Sequence, residues 1–301
     1  MSRNNLLNSN TPVVQFARAR MADRSDEIEK GQAVTKPKSA TGKPERRDFL
    51  SRFIEARGKD PEFISQQRVL ALTVANMFAG SDTTAITLRS IFHNLLTHPA
   101  AMEKLLAELA AEGAAGRLAK ADYETDDRER GEYAETLVRW NDVRELPYLT
   151  AVIYEGLRCH PAAGLPLERI VPAAGLNIDG HHIPAGSIVG CSGWVIHRDE
   201  GVYGAKADDF RPERWIEATP EQLSKMRNCL LSFGQGSRTC AGRNVSLLEM
   251  YKLIPALLRM FEVRLWVDQP LPNLASYRKI KRTLPPFRPP LQADPYYLPG
   301  C

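Results

Sequence analysis

Phe233-Gly234-Gln235-Gly236-Ser237-Arg238-Thr239-Cys240-Ala241-Gly242 is the stretch on which the reading of this 301-residue chain turns. One cysteine sits in a glycine-rich loop, two residues after an arginine and just ahead of an apolar helical pattern over Val245 to Phe261. Cysteine binds a soft metal as thiolate, so its negative charge must be stabilised. The free amides and dipole at the start of the following helix point positive charge back toward Cys240. Gly236 and Gly242 remove side chains where the backbone must turn sharply or approach a flat ligand. Phe233 is placed to shield the sulfur from water, and Arg238 to meet an anion.

For one cysteine alone, a buried structural thiol is the plain alternative. A second functional reading is a cysteine hydrolase with Cys240 as nucleophile. It needs a base, and His197 is the only histidine in the same stretch, with no recognisable catalytic signature around it. Zinc does not fit, because the chain has no C-x-x-C or H-x-x-x-H pair.

Composition sets bounds. Hydrophobic residues make up 43% of the chain, enough for a substantial core. A net charge of +4 is too mild to argue for nucleic acid. Cys159, Cys191, Cys229, Cys240 and Cys301 are scattered without a disulfide spacing, which points to a reducing compartment. No signal peptide is visible, and no apolar run approaches the roughly 18 residues of a membrane span.

Three segments are expected. Residues 1–47 comprise a short helix over Thr11 to Met21 and a basic, mobile linker from Gly31 to Arg47. Residues 48–267 form the main body, with helical patterns over Phe49 to Arg57, Ser65 to Thr97, Ala101 to Ala111 and within Asn141 to Cys159. The charged stretch Ala121 to Glu135 reads as a surface loop. Asn177 to Ile183 reads as a hairpin around an Asp-Gly turn, Ser187 to Cys191 as a strand, and Glu262 to Trp266 as another. Residues 268–301 are a proline-dense tail in which no further hairpin is found. The expected fold class is therefore mainly α with a small β-sheet.

Ser65 to Thr97 predicts one helix on the order of 45 Å long, stopped by Pro99. Its centre is apolar nearly all round (Leu70, Leu72, Val74, Met77, Phe78), which predicts burial. Ala79-Gly80-Ser81-Asp82-Thr83-Thr84 lies in that centre. Glycine there costs about 1 kcal/mol against alanine, and a buried carboxylate and hydroxyls are expensive without a partner or a task. Thr83 is placed to hydrogen-bond back to the Ala79 carbonyl and open a kink. A tolerated polar kink is the structural alternative. Glu155 and Arg158, spaced i, i+3, share a helix face, and Phe210-Arg211-Pro212-Glu213-Arg214-Trp215 follows downstream.

These four segments, in this order, resemble the cytochrome P-450 family, the haem-thiolate monooxygenases, of the microsomal eukaryotic type. The resemblance covers about Asp48 to Trp266. It implies that Cys240 is the axial thiolate of haem b, and that Phe233, Gly236 and Gly242 shape the loop around it. Arg238, and Arg169 less specifically, would bind propionates. It implies that Thr83 hydrogen-bonds dioxygen and its water, that Asp82 passes protons inward, and that Ala79 and Gly80 leave room for dioxygen. Glu155, Arg158 and Arg214 would form one charge cluster holding the segment that leads to the cysteine loop. His197-Arg198-Asp199 matches family usage and reads as structural. The implied activity inserts one oxygen atom into an apolar small molecule. Electrons would come from NADPH through a separate flavin-containing reductase docking near Lys225, Arg227 and Arg243, at the endoplasmic reticulum membrane. Family members are much longer, and the resemblance begins in the second half of their usual length. The expected fold is thus the C-terminal haem-binding portion, truncated at the N-terminus and without the family's membrane anchor. A catalytically incomplete fragment or pseudoenzyme is the alternative, as is a reductase-independent isomerase or peroxygenase on the same haem loop.

Overall fold

The computed structural model describes residues 11–30, 48–118, 138–265 and 278–282. The expected linker over Gly31 to Arg47 and the charged loop over Ala121 to Glu135 lie outside them. The described chain divides into two compact units, one ending at Ala85 and the other starting at Ile86.

The first unit contains α1 (Pro12–Glu29), α2 (Phe49–Lys59) and the N-terminal part of α3 (Gln66–Thr97). Helix α1 starts with proline, whose absent N–H is not needed at that position, and runs two turns past the expected end at Met21. Asp48 caps α2 by accepting from the Ser51 amide at 2.7 Å. Val14, Ala17 and Leu70 form a small core, with Met21, Val74 and Met77 packed against it.

The expected burial of the centre of α3 is not what the structure shows. Leu72 is 41% exposed and Phe78 55% exposed, and Ala79, Gly80, Ser81, Asp82 and Thr83 are exposed as well. An all-round apolar helix needs neighbours on every side, and in this unit α1 packs along one side. Helix α3 is also the one element among the described residues long and apolar enough to cross a bilayer, with a mean hydropathy of 1.2. That revises the expectation of no such stretch.

The second unit holds the main core. It gathers the C-terminal part of α3 from Ile86, α4 (Pro99–Ala114), α5 (Trp140–Val143), α6 (Pro147–Cys159) and α11 (Arg243–Met260). Ile91, Leu95, Leu105, Leu109, Leu149, Ile153, Met250 and Ile254 are almost completely buried in it. Helix α6 is apolar on most of its surface and is correspondingly enclosed. Gly156 lets it approach α3: a Cβ there would lie 2.3 Å from Ile91 Cγ1. Glu108 of α4 accepts from the Tyr148 and Leu149 amides at 2.8 and 2.9 Å, capping α6 from outside its own sequence.

Between α6 and the cysteine loop run β1 (Leu167–Ile170), β2 (Leu176–Ile178), β3 (His181–Ile183) and β4 (Ile188–Cys191), then the short helices α7 (Gly193–Ile196), α8 (Glu200–Tyr203) and α9 (Arg214–Glu217), and α10 (Pro220–Asn228). The expected small sheet is three separate antiparallel pairs among the described residues. Strand β1 pairs with β4, Leu167 facing Cys191 and Ile170 facing Ile188. The β2–β3 hairpin turns through Asp179 and Gly180 with φ of 49° and 80°, the two left-handed residues that a tight primed turn requires. The third pair joins β5 (Phe261–Leu265) to β6 (Arg278–Arg282), inside the tail where no hairpin was expected. Arg278-Lys279-Ile280-Lys281-Arg282 holds one apolar residue, so it carries no alternating signal.

Candidate functional site

The buried anchor of the site is ionic. Glu155 of α6 is fully enclosed, as is Arg158 one turn later. Arg158 donates from Nε and Nη2 to the two carboxylate oxygens, both at 2.8 Å. Arg214, at the start of α9, donates from Nε to Glu155 Oε1 at 2.9 Å. The family resemblance implied these three together; two further donors were not anticipated. Trp215 Nε1 donates to Glu155 Oε2 at 2.8 Å, and the Arg211 amide to Oε1 at 2.8 Å.

Two guanidinium groups share one carboxylate, and carbonyls take up the donors left over. Arg158 reaches the carbonyls of His197 at 2.7 Å and Asp209 at 2.9 Å, and also that of Ala207. Arg214 reaches Tyr203 at 2.6 Å, with Lys206 and Asp209 at 3.1 Å. No buried side-chain nitrogen or oxygen among the described residues lacks a partner, as a buried charge cluster demands. Burial works against the charge on Arg158, but hydrogen bonding and attraction from Glu155 outweigh it and raise its pKa. The cluster thus ties α6 to the irregular segment from His197 to Trp215.

The cysteine loop follows that segment. Gly234 and Gly236 adopt φ of 66° and 67°, the left-handed region where glycine alone is unstrained. Gly236 was anticipated; Gly234 was not. Gly242 has an ordinary helical φ of −84°. A Cβ there would sit 3.8 Å from Cys240 Sγ, an ordinary contact, so packing among the described residues does not call for glycine at this position. The Gly234 amide donates to Leu231 O, and the Cys240 amide to Phe233 O, both at 2.8 Å. Phe233 is half-buried against the main core, with the Arg243 guanidinium 6.0 Å from its ring.

Cys240 is exposed and free, three residues ahead of α11. Arg238 is exposed and has no hydrogen-bond or ion-pair partner among the described residues. Arg169 of β1 reaches the same loop, Nη2 to Gln235 O at 3.4 Å. The second unit thus brings together Cys240, Phe233, Gly236, Gly242 and Arg169, with Arg238 beside them. Val245 and Leu248, on the first turns of α11, stay 41% and 39% exposed. A soft sulfur donor, open apolar side chains after it and the unpartnered Arg238 guanidinium suit an apolar, metal-centred ring with acidic substituents.

His197 does not suit the hydrolase reading. It is fully buried, and both ring nitrogens are engaged, Nδ1 with Arg158 O at 3.0 Å and Nε2 with the Leu231 amide at 2.8 Å.

In the first unit, Thr83 Oγ1 donates to Ala79 O at 2.8 Å, as anticipated. Ser81 does the same to Met77 O at 2.7 Å, and the helix continues without a break. A Cβ on Gly80 would meet nothing within 4 Å, so packing among the described residues does not call for glycine there.

Phe233 and the loop line a cavity of about 430 Å³. Tyr154, Asn228, Arg227 and Arg243 line it with them.

Comparisons with known proteins show the family. The family profile described as "Cytochrome P450" matches residues 12–286. A "Cytochrome P450 monooxygenase" of Aspergillus terreus is 49% identical over 217 residues, covering 72% of this chain and 41% of that protein. The "Cytochrome P450 monooxygenase AFLA_114810" of Aspergillus flavus is 38% identical, covering 84% of this chain and 45% of that protein. The "Cytochrome P450 monooxygenase cicH" of Emericella nidulans is 41% identical, covering 73% and 40%. The chain spans about two fifths of the length of these curated relatives.

Proposed function

The chain belongs to the cytochrome P450 family, and from that premise we propose that it supplies the haem-thiolate half of a monooxygenase inserting one oxygen atom from dioxygen into an apolar small molecule. The observation that carries the reading is the exposed Cys240 on a loop whose entry is fixed by a buried charge cluster.

Cys240 would hold the haem iron as a thiolate, stabilised by the positive end of α11. Arg238 and Arg169 would hold the propionates by charge-assisted hydrogen bonds. When bound, the haem supplies dioxygen binding and electron transfer. On α3, the Thr83 hydroxyl, oriented by its bond to Ala79 O, would serve as the proton-holding group. Asp82 is the carboxylate that passes protons to it, and Ala79 and Gly80 keep space open. Electrons come from NADPH through a flavin-containing reductase whose acidic face meets Arg227 and Arg243 at the cavity beside the loop.

The test is spectroscopic. The chain is expressed with haem available, reduced under carbon monoxide, and its absorption recorded. A long-wavelength band of a thiolate-ligated carbonyl complex is expected, lost in Cys240→Ser. Soluble wild-type chain that takes up no haem, or the same band in Cys240→Ser, refutes the reading. Thr83→Ala is expected to divert electrons into peroxide; unchanged coupling contradicts the role given to Thr83.

A further inference from the structure

We propose that His197 is the positioning residue that couples the buried charge cluster to the thiolate loop, acting as a neutral imidazole donating at Nδ1 and accepting at Nε2. The inference rests on the reading of Cys240 as the haem ligand only for its spectroscopic consequence.

The geometry assigns the tautomer. The Leu231 amide can only donate, so Nε2, 2.8 Å away, must carry a lone pair. The Arg158 carbonyl can only accept, so Nδ1, 3.0 Å away, must carry the proton. A protonated ring would turn an N–H against the Leu231 N–H. Burial first, and then the positive charges of Arg158 and Arg198, lower the histidine pKa to about 4, which keeps the ring neutral at physiological pH.

The link is reciprocal on one side. His197 grips the backbone carbonyl of Arg158 while the Arg158 guanidinium grips the backbone carbonyl of His197 at 2.7 Å. Tyr203 meets the imidazole edge-on with ring centroids 6.1 Å apart. On the other side the chain of bonds runs straight into the loop. Leu231 donates to His197, its carbonyl accepts from Gly234, and Phe233 O accepts from Cys240. Ser232 Oγ donating to Leu157 O at 2.7 Å is a second tie to α6, independent of the histidine. Hydrogen bonds, joined through the covalent frames of Arg158, His197 and Leu231, thus connect Glu155 to Cys240.

Two near-isosteric variants separate the halves of this role. The amide oxygen of His197→Gln reaches the Nε2 position and keeps the acceptor for Leu231. The amide nitrogen of His197→Asn reaches the Nδ1 position, keeps the donor to Arg158 and loses the loop. Hydrogen exchange over residues 231–242 of the full chain is expected to accelerate about tenfold in His197→Asn, the equivalent of one net hydrogen bond, and to stay near wild type in His197→Gln. In the haem-loaded chain His197→Asn is expected to lose much of the thiolate carbonyl band while His197→Gln retains it. Equal loop exchange in the two variants overturns the proposal. So does imidazole nitrogen NMR of the wild-type chain at neutral pH showing Nε2 protonated, a measurement that needs no variant to fold. Failure of wild-type chain to bind haem refutes the proposed function alone, since exchange and tautomer are read without it.

Discussion

Replacing Glu155 by glutamine tests the charge cluster most directly. The side chain keeps its shape and one carbonyl oxygen, but the second oxygen becomes an N–H₂ facing the donors of Arg158 and Trp215, or of Arg158, Arg214 and the Arg211 amide if the amide flips. Either way donors point at donors, and two guanidinium groups with almost no solvent access lose their counter-charge. Breaking a buried ion pair on one side costs about 3–5 kcal/mol. For a cooperative unit of 150–250 residues each kcal/mol moves the midpoint by roughly 2–4 °C, so thermal unfolding is expected on the order of 10 °C lower. Trp215→Phe is the internal control. It removes one neutral donor from the same carboxylate and is expected to cost about 1–1.5 kcal/mol. Calorimetry or circular dichroism on the wild type and both variants reads the difference. Glu155→Gln costing no more than Trp215→Phe refutes the assignment of the cluster's stability to charge rather than to hydrogen-bond count.

Acid should weaken the second unit through His197. Its folded pKa, about 4, lies below the ordinary 6.5, so the unfolded chain binds the proton more readily. Its stabilising contribution is complete above pH 6.5 and is lost as pH falls toward 4, to a total of about 3 kcal/mol. His197→Gln should flatten that part of the stability–pH curve, and an unchanged slope contradicts the assignment. Gly156→Ala forces a methyl to within 2.3 Å of Ile91 Cγ1 and is expected to cost about 1–3 kcal/mol in chemical unfolding. Trimming the neighbour in Gly156→Ala/Ile91→Val should restore part of it, and additive losses count against a direct clash. Alkylation of the native chain near pH 7.5 should mark the exposed Cys240 and Cys191 and spare Cys159, whose thiol burial pushes up to about 12. Mass spectrometry showing Cys159 modified as fast as Cys240 would contradict that order.

Local chemistry made much of this legible beforehand. Proline starts and periodic apolar runs marked α4, α6 and α11 within a few residues, and Asp179-Gly180 marked its hairpin because both residues tolerate positive φ. The cysteine loop stood out by its residue types, and the grouping of Arg214 with Glu155 and Arg158 came from the family resemblance. Exposure of the centre of α3 was not legible. Apolar residues state a need for cover and do not say what provides it. Strand β6 was equally silent, since Arg278-Lys279-Ile280-Lys281-Arg282 carries no alternation and is a strand through its pairing with β5.

What the sequence by itself determined is chemical identity: a thiol in a glycine loop, arginines near it, and a carboxylate in register with one guanidinium on a helix face. Those signals are local, spanning at most a helical turn or a loop. Only the tertiary structure decided which partners those groups meet. Trp215 and the Arg211 amide complete the shell of Glu155 from about 60 residues away in the chain. His197 reads as an unremarkable histidine beside an arginine until the fold sets its two nitrogens between Arg158 and Leu231. Hydrogen bonding between distant segments is set by packing that brings them within 3 Å, and no periodicity in the chain encodes that approach.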